Sequence, residues 1–262
     1  MADGSPTTTA LRTVTATRYV TPLREGGSLP GLVEGDDDGL YVLKFRGAGQ
    51  GPRALVAELV AGELGRALGL AVPEIVLVDV DPALGRAEPD PEIQDLIAAS
   101  GGRNIGLDFL PAALPFTPGA GEPPDPDLAA AVVWFDALTT NVDRTPRNPN
   151  LLWWHGRLWL IDHGAALYRQ HGAADLAAEA HRPFPAIRDH VLLPWAGPVA
   201  EADARLAPLL GAALVESVVA GVPEEWLDGG DEQRRGYVEY LLRRLDAPRG
   251  FVEEADAARL GR

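Results

Sequence analysis

The sequence contains no cysteine, no run of 18 uncharged apolar residues and no cluster of five basic residues. The lack of cysteine excludes a disulfide framework, a thiolate nucleophile and a cysteine-based zinc site, and it is typical of a reducing compartment. The lack of apolar runs, together with a polar opening segment at 1–17, argues against membrane spans and secretion, so we expect a cytoplasmic protein. A net charge of −15 without a basic cluster argues against a nucleic-acid partner.

What is present fits a folded protein of 262 residues, 46% of them apolar, in one large domain or two lobes. The first part has the alternation of strands, with an Asp-Gly turn at 38–39. A helix is predicted at 53–68, and 81–102 is too rich in proline and acid for regular packing apart from a helical pattern at 92–99. The predicted strands lie at 11–20, 31–34, 40–46, 73–79 and 104–110.

The second half begins after a proline- and glycine-rich segment at 111–126, which we interpret as a linker. A helix with a wide apolar face is predicted from Pro126 to near Asn141. A polar, proline-broken loop follows at 141–150, and then two short strands form a hairpin. The remainder has helical spacing, with acidic starts and arginine-rich ends, at 185–193, 200–219, 224–227 and 231–245.

Several polar residues of the first half suit phosphoryl transfer. A glycine-rich connection after the first strand contains Gly26, Gly27 and Ser28, and a flexible backbone of this kind can cover phosphates. Lys44 lies between two apolar residues in the third strand, where its ammonium needs a partner. Glu58 follows 14 residues later on the predicted helix and can hold that lysine in place.

A second set of polar residues lies in the late loop and hairpin. Asp143 and Asn148 are in the loop, and Asp162 ends an apolar strand. Phosphoryl transfer needs an aspartate that orients the attacking hydroxyl, and an amide and a second carboxylate that hold Mg²⁺. Turn formation alone rarely produces this order, so we interpret Asp143 and Lys44 as catalytic residues and Asn148 with Asp162 as metal ligands.

Some assignments have alternatives. Glu63 lies on the same predicted helix as Glu58 and competes with it for Lys44. The glycine-rich connection can also be read as an ordinary hairpin loop; if it covers phosphates, Ser28 is expected to be a site of self-phosphorylation. The five histidines lack zinc-site spacing, and we interpret His163 as a residue that holds the loop of Asp162.

The order of these residues resembles the protein-kinase-like fold, whose D-x-x-x-x-N and D-F-G motifs carry the catalytic aspartate and the magnesium ligands. Here the motifs read Asp143-x-x-x-x-Asn148 and Asp162-His163-Gly164. The segments GGSLPGL, YVLKFRGAGQGPRALVAELVAGELGRALGL, FDALTTNVDRTPRNPNLLW and LWLIDHGAALY are similar to the bacterial HipA-like kinase family in its short form. The sequence departs from eukaryotic-like kinases in its N-V-D-R loop, its D-H-G motif, its GGSLPG loop and the lack of a segment ending in A-P-E.

The resemblance implies an α+β, bilobal protein-kinase-like fold. Its N-lobe, residues 1–110, would be an antiparallel sheet with one helix, and its C-lobe, residues 111–262, would be mainly helical. ATP and Mg²⁺ would bind in the cleft between them, where the backbone of Asp108, Phe109 and Leu110 would pair with adenine.

The phosphate acceptor is the least determined part of the prediction. The resemblance favours a Ser/Thr hydroxyl on a protein, and the small size of the chain leaves a small-molecule hydroxyl as an alternative. A non-catalytic nucleotide-binding scaffold is a second alternative, although no residue of the catalytic set is missing. Metal-dependent phosphoester hydrolysis by residues 141–163 is a third, but it leaves Lys44 and the glycine-rich connection without a role.

Overall fold

The computed structural model describes residues 11–23, 29–49, 51–168 and 179–261. Gly26, Gly27 and Ser28 lie outside the described residues. Five strands form in the first part of the chain, where the sequence predicts five. They are β1 (Thr13–Pro22), β2 (Gly31–Gly35), β3 (Leu40–Lys44), β4 (Ile75–Val80) and β5 (Gly102–Asp108).

These strands close into a barrel in the order β1-β2-β3-β5-β4. The predicted antiparallel sheet is therefore only part of the arrangement, because β1 also runs parallel to β4, with Thr13 opposite Leu77 and Thr15 opposite Asp79. The cause is the length of β1, whose residues from Ala16 onward pair with β2 and whose first residues extend past β2 to reach β4. The barrel interior holds buried apolar side chains from alternate strand positions, including Val14, Ala16, Tyr41, Leu43, Val76 and Val78.

Helix α1 (Pro52–Ala67) follows β3 and is buried along most of its length. It approaches β4 so closely that a Cβ at Gly62 would collide with Ile75. The prediction of a single helix in this part is wrong, because α2 (Pro91–Ala99) lies between β4 and β5 after a 3₁₀ helix at Pro82–Ala87. Asp90 caps α2 by accepting the Glu92 N–H at 3.0 Å, and two isoleucines of α2 pack on the barrel.

The second part is mainly helical and also contains a small sheet. Strand β6 (Leu114–Pro115) lies in the predicted linker and pairs with the predicted hairpin, β7 (Leu151–Trp154) and β8 (Arg157–Leu160). The long helix predicted at 200–219 is two helices, separated near Gly211. In this part, the α-helices given in full by the described ranges are α3 (Pro126–Thr139), α4 (Val199–Leu206), α5 (Ala212–Ala220), α6 (Gly230–Leu245) and α7 (Gly250–Leu260). None of the helices in the described ranges is long and apolar enough to cross a membrane.

Helix α3 is the centre of this part, and its buried Asp136 anchors the loop that follows it. Arg144 Nε donates to Asp136 Oδ2 at 2.6 Å, and His190 Nε2 lies 2.8 Å from the same oxygen. His190 Nδ1 accepts the Leu192 N–H, so the ring proton is on Nε2 and is donated to Asp136. Arg144 also donates to the carbonyls of Asn150 and Ile161. One buried arginine thus holds both ends of the loop 143–150 and the segment before residue 162.

The electrostatics of this anchor favour its ionised form. Burial alone would raise the pKa of Asp136, but the charge of Arg144 and the hydrogen bond from His190 outweigh it and lower the pKa to about 2. Asp136 therefore contributes stability above its ordinary pKa of 3.8, and this contribution is lost as the pH falls from about 4 to about 2.

We expect Asp136→Asn to lower the free energy of unfolding by about 3–5 kcal/mol at pH 7, because it leaves the charge of Arg144 buried without a counterion. The difference from wild type should shrink as the pH falls from about 4 towards 2, where the wild-type carboxylate is itself protonated. Urea denaturation at pH 7, 4 and 3 measures both effects. The control is Asp127→Asn on the same helix, an exposed partner of Arg205, with an expected cost below about 1 kcal/mol. A constant difference at every pH would contradict the assignment.

Candidate functional site

A cleft of about 990 Å³ lies between the barrel and the helical part. Its walls come from elements that are far apart in the sequence, which the fold brings together. Those of its lining residues that the sequence singled out are Lys44, Asp108, Phe109, Leu110, Asn148 and Asp162.

Lys44 is the last residue of β3, and its ammonium lies between two carboxylates. Nζ is 2.5 Å from Glu58 Oε2 on α1 and 2.6 Å from Asp162 Oδ1 after β8. The side chain of Glu58 is fully buried, that of Lys44 is 12% exposed and that of Asp162 is 37% exposed towards the cleft. The three residues thus form a chain of charges that leads from the core to the cleft surface.

The electrostatics favour the charged forms of Lys44 and Glu58. Burial opposes the charge of Lys44, but Glu58 and Asp162 outweigh burial and raise its pKa. Burial likewise opposes the charge of Glu58, but the Lys44 ammonium outweighs it and lowers the pKa of Glu58 to about 2.

The competing glutamate lies elsewhere. Glu63 Oε1 contacts Arg66 Nε at 3.2 Å, one turn along α1, and burial raises the pKa of Glu63. The structure therefore places Glu58, and not Glu63, beside Lys44. Glu58 lies within residues 55–62 of α1, all of which are buried, whereas Glu63 is only partly buried.

Asp143 and Asn148 are brought together within one loop. Asn148 Nδ2 donates to Asp143 Oδ2 at 2.7 Å, and the Asp143 N–H donates to Asn141 Oδ1 at 3.1 Å. Thr145 and Asn148 exchange two backbone hydrogen bonds, which form a tight turn between the two functional candidates. Asn148 lines the cleft and Asp143 joins it through this amide contact.

The oxygen atoms of this region suit a hard divalent cation. Asp162 binds Lys44 through Oδ1, and Asn148 uses its nitrogen for Asp143, so Asp162 Oδ2 and the Asn148 amide oxygen are not engaged by any described residue. No three His, Cys, Asp or Glu side chains cluster as a metal site within the described ranges. A cation held by Asn148 and Asp162 would therefore need further oxygen ligands from a bound phosphate and from water, as is usual for Mg²⁺.

The segment Asp108–Leu110 forms the cleft edge where β5 leaves the barrel. The Phe109 N–H donates to the Leu40 carbonyl and the Asp108 N–H to the Glu74 carbonyl, both at 2.9 Å. The Leu110 N–H donates to no described residue. Burial, with a contribution from the Glu74 carboxylate, raises the pKa of Asp108.

Three residues that contribute to the cleft or to its polar loop are not predicted from the sequence. Arg144 and Asn150 belong to the same polar loop, and Asn150 Nδ2 lies 3.4 Å from Asp143 Oδ2. The signal for Arg144 is Asp136, a carboxylate within the apolar part of helix α3, where it needs a partner. Glu88, which lines the cleft, had no signal, because it lies in the irregular segment between β4 and β5.

Comparisons with known proteins agree on the fold. The sequence model of the HipA-like kinase family matches residues 17–247. The proinflammatory kinase CtkA of Helicobacter pylori has a similar structure, with a TM-score of 0.59, 13% identity and coverage of 96% of this chain and 99% of that one. A Golgi casein kinase with Mn and ADP bound is similar with a TM-score of 0.52, 13% identity and coverage of 93% and 74%. A comparison with curated proteins found no match.

The two similar structures show that this barrel and helical part together form a protein-kinase-like fold. Because the family match extends over most of the chain, including the cleft residues, the chain belongs to the HipA-like kinase family and is a kinase, that is, a phosphotransferase.

Proposed function

We propose that this kinase moves the γ-phosphate of ATP, with Mg²⁺, to the hydroxyl group of a protein Ser or Thr. In this proposal residues 1–110 are the N-lobe and residues 111–262 the C-lobe, with the nucleotide between them. The observation that carries it is the position of Lys44 in the cleft, bound to both Glu58 and Asp162.

Lys44 is assigned to the phosphates. Its ammonium is a point charge at the cleft wall, and a fixed positive charge stabilises the negative charge that develops on a transferring phosphoryl group. Glu58 is assigned to hold the Lys44 ammonium at the cleft wall. Its carboxylate is fully buried and lies 2.5 Å from Nζ, so movement of the ammonium away from it would leave the carboxylate buried without a counterion.

Asp143 is assigned to the acceptor hydroxyl, and Asn148 with Asp162 to the metal. The 2.7 Å hydrogen bond from Asn148 orients the Asp143 carboxylate, and the Arg144 anchor fixes the loop that carries both. Mg²⁺, when bound, would neutralise phosphate charge and align the transferring group. The unengaged oxygens of Asn148 and Asp162 support this ligand assignment.

The nucleotide base is assigned to the cleft edge at Asp108–Leu110. The Leu110 N–H, which donates to no described residue, supports a hydrogen bond to an adenine ring nitrogen. The phosphate-covering role of Gly26, Gly27 and Ser28, and self-phosphorylation at Ser28, remain predictions from the sequence.

The acceptor preference for a protein Ser or Thr rests on the family. A small-molecule hydroxyl is the alternative that the same chemistry allows, since Asp143 would orient either kind of hydroxyl. A scaffold without activity is disfavoured because lysine, glutamate, both aspartates and the asparagine are all present.

We expect Asp143→Asn and Asp162→Asn to fail in different ways. Asp143→Asn should keep MgATP affinity while turnover falls by about 10² or more, the scale of a lost positioning base. Asp162→Asn should lose the magnesium-dependent part of ATP binding. Calorimetry with and without Mg²⁺ measures binding. Mass spectrometry of the protein and of a cell lysate incubated with ATP measures phosphate gain on proteins or on small molecules.

Asp127→Asn, an exposed acid-to-amide change, is the matched control and should behave as wild type. Loss of MgATP binding in Asp143→Asn, together with full turnover in Asp162→Asn, would refute the role of the loop and hairpin.

We expect Glu58→Gln to lower kcat/KM for ATP by about 10²-fold, because Lys44 loses the charge that positions it. Glu63→Gln, the same change on the same helix, should leave kcat/KM within about twofold, since Glu63 contacts Arg66 and not Lys44. Steady-state kinetics at several ATP concentrations measures both variants. Damage by Glu63→Gln with a silent Glu58→Gln would show that the pairing in the cleft is not the functional one.

A further inference from the structure

His163 is buried beside Glu58, and the two polar atoms that face each other, Nδ1 and Oε1, have no hydrogen-bond partner among the described residues. His163 Nδ1 lies 3.5 Å from Glu58 Oε1, and both side chains have no exposed surface. Among the described residues, neither nitrogen of the ring nor Glu58 Oε1 has a hydrogen-bond partner. A neutral imidazole always carries one N–H, so a buried donor and a buried charged acceptor stand unpaired next to each other.

No described residue other than Glu58 is shown to contact a ring nitrogen of His163. The ring packs in a T-shaped arrangement with Phe135, with ring centroids 6.2 Å apart and an interplanar angle of 77°. The second oxygen of Glu58 is already engaged by Lys44 at 2.5 Å. Glu58 Oε1 is therefore the acceptor that the geometry provides for the ring.

We propose that His163 is a positioning residue, which carries its proton on Nδ1 and donates it to Glu58 Oε1. This inference rests on the proposed function, since it assigns His163 to the grip of Glu58 on Lys44. The present 3.5 Å separation is longer than the usual N–H···O distance of about 2.7–3.2 Å, so a shift of about half an ångström closes the bond. Such a bond fixes the second oxygen of the carboxylate while the first holds Lys44.

The position of His163 in the chain gives the bond a further consequence. His163 follows Asp162 directly, and Gly164 lies against Ala54 in the first turn of α1. The proposed bond therefore ties α1 to the segment that carries the assigned metal ligand. The D-F-G motif has phenylalanine at this position, which fills a similar space but has no donor.

The test compares three replacements of His163. His163→Phe keeps an aromatic ring against Phe135 without a donor, and we expect it to raise the Kd for MgATP by roughly tenfold, the effect of one lost hydrogen bond to a charged group. His163→Asn places an amide N–H near the position of Nδ1 and should restore the Kd to within about threefold of wild type. His163→Gln places its amide near Nε2 and should behave as His163→Phe does. Equal losses for the phenylalanine and asparagine variants would overturn the proposal.

A double-mutant cycle identifies the partner. In a Glu58→Met background, which removes the acceptor, His163→Phe should change the Kd by less than about twofold. Effects that simply add would overturn the proposal. Should Glu58→Met fail to fold, the comparison of the three His163 variants decides alone.

The same double-mutant cycle, measured by urea unfolding of the protein without nucleotide, tests the His163–Glu58 contact independently of the proposed function. A wild-type protein that does not bind MgATP refutes the proposed function. The coupling between His163→Phe and Glu58→Met in unfolding then still decides whether the two side chains interact, with additivity counting against the bond.

Discussion

The structure around the cleft depends on the burial of the Lys44 ammonium between two carboxylates. A buried charge is tolerated only with a counterion, and the side chain of Glu58 has no exposed surface. The pair therefore constrains three elements at once, because β3, α1 and the segment after β8 must all keep their positions for the charges to remain compensated. Packing reinforces this constraint where α1 approaches β4 at Gly62.

A second buried ion pair supports the opposite wall, and the two differ in how completely they are satisfied. Asp136 receives donors from Arg144 and His190, and Arg144 extends to two backbone carbonyls. Both oxygens of the anchor carboxylate thus accept hydrogen bonds, although Arg144 Nη2 has no described partner. In the cleft pair, in contrast, Glu58 Oε1 and the ring nitrogens of His163 have no hydrogen-bond partner among the described residues. The proposed bond from His163 would supply the donor that the second oxygen of Glu58 lacks.

The features that could be predicted from the sequence are those with a local physical cause. The strand positions follow from the alternation of apolar and polar side chains. The site residues could be identified because polar groups beside apolar strands and in proline-broken loops need partners; they are Lys44, Asp143, Asn148 and Asp162. The closure of the barrel could not be predicted, since it depends on how far β1 extends past β2. The pattern at 92–99 indicates helix α2, and Pro91 and Asp90 are favourable at a helix start, but the proline content of its surroundings argues against regular structure there. The pairing of Lys44 with Glu58 required the structure, because Glu63 lies on the same helix and only its tertiary contact with Arg66 excludes it.

The charge of the cleft gives a reason why the proposed metal belongs to this site. Among the described lining residues Lys44 is the one cation, whereas Glu88, Asp90, Asp108 and Asp162 carry carboxyl groups. The charge of Lys44 is moreover already balanced by Glu58 and Asp162, so the described walls offer a nucleotide little net positive charge. Phosphate groups would meet repulsion there unless a cation accompanies them. Asp162, which is partly exposed and shares only one oxygen with Lys44, is the carboxylate best placed to accept such a cation. Glu58 would then remain as the buried counterion that keeps Lys44 at the cleft wall.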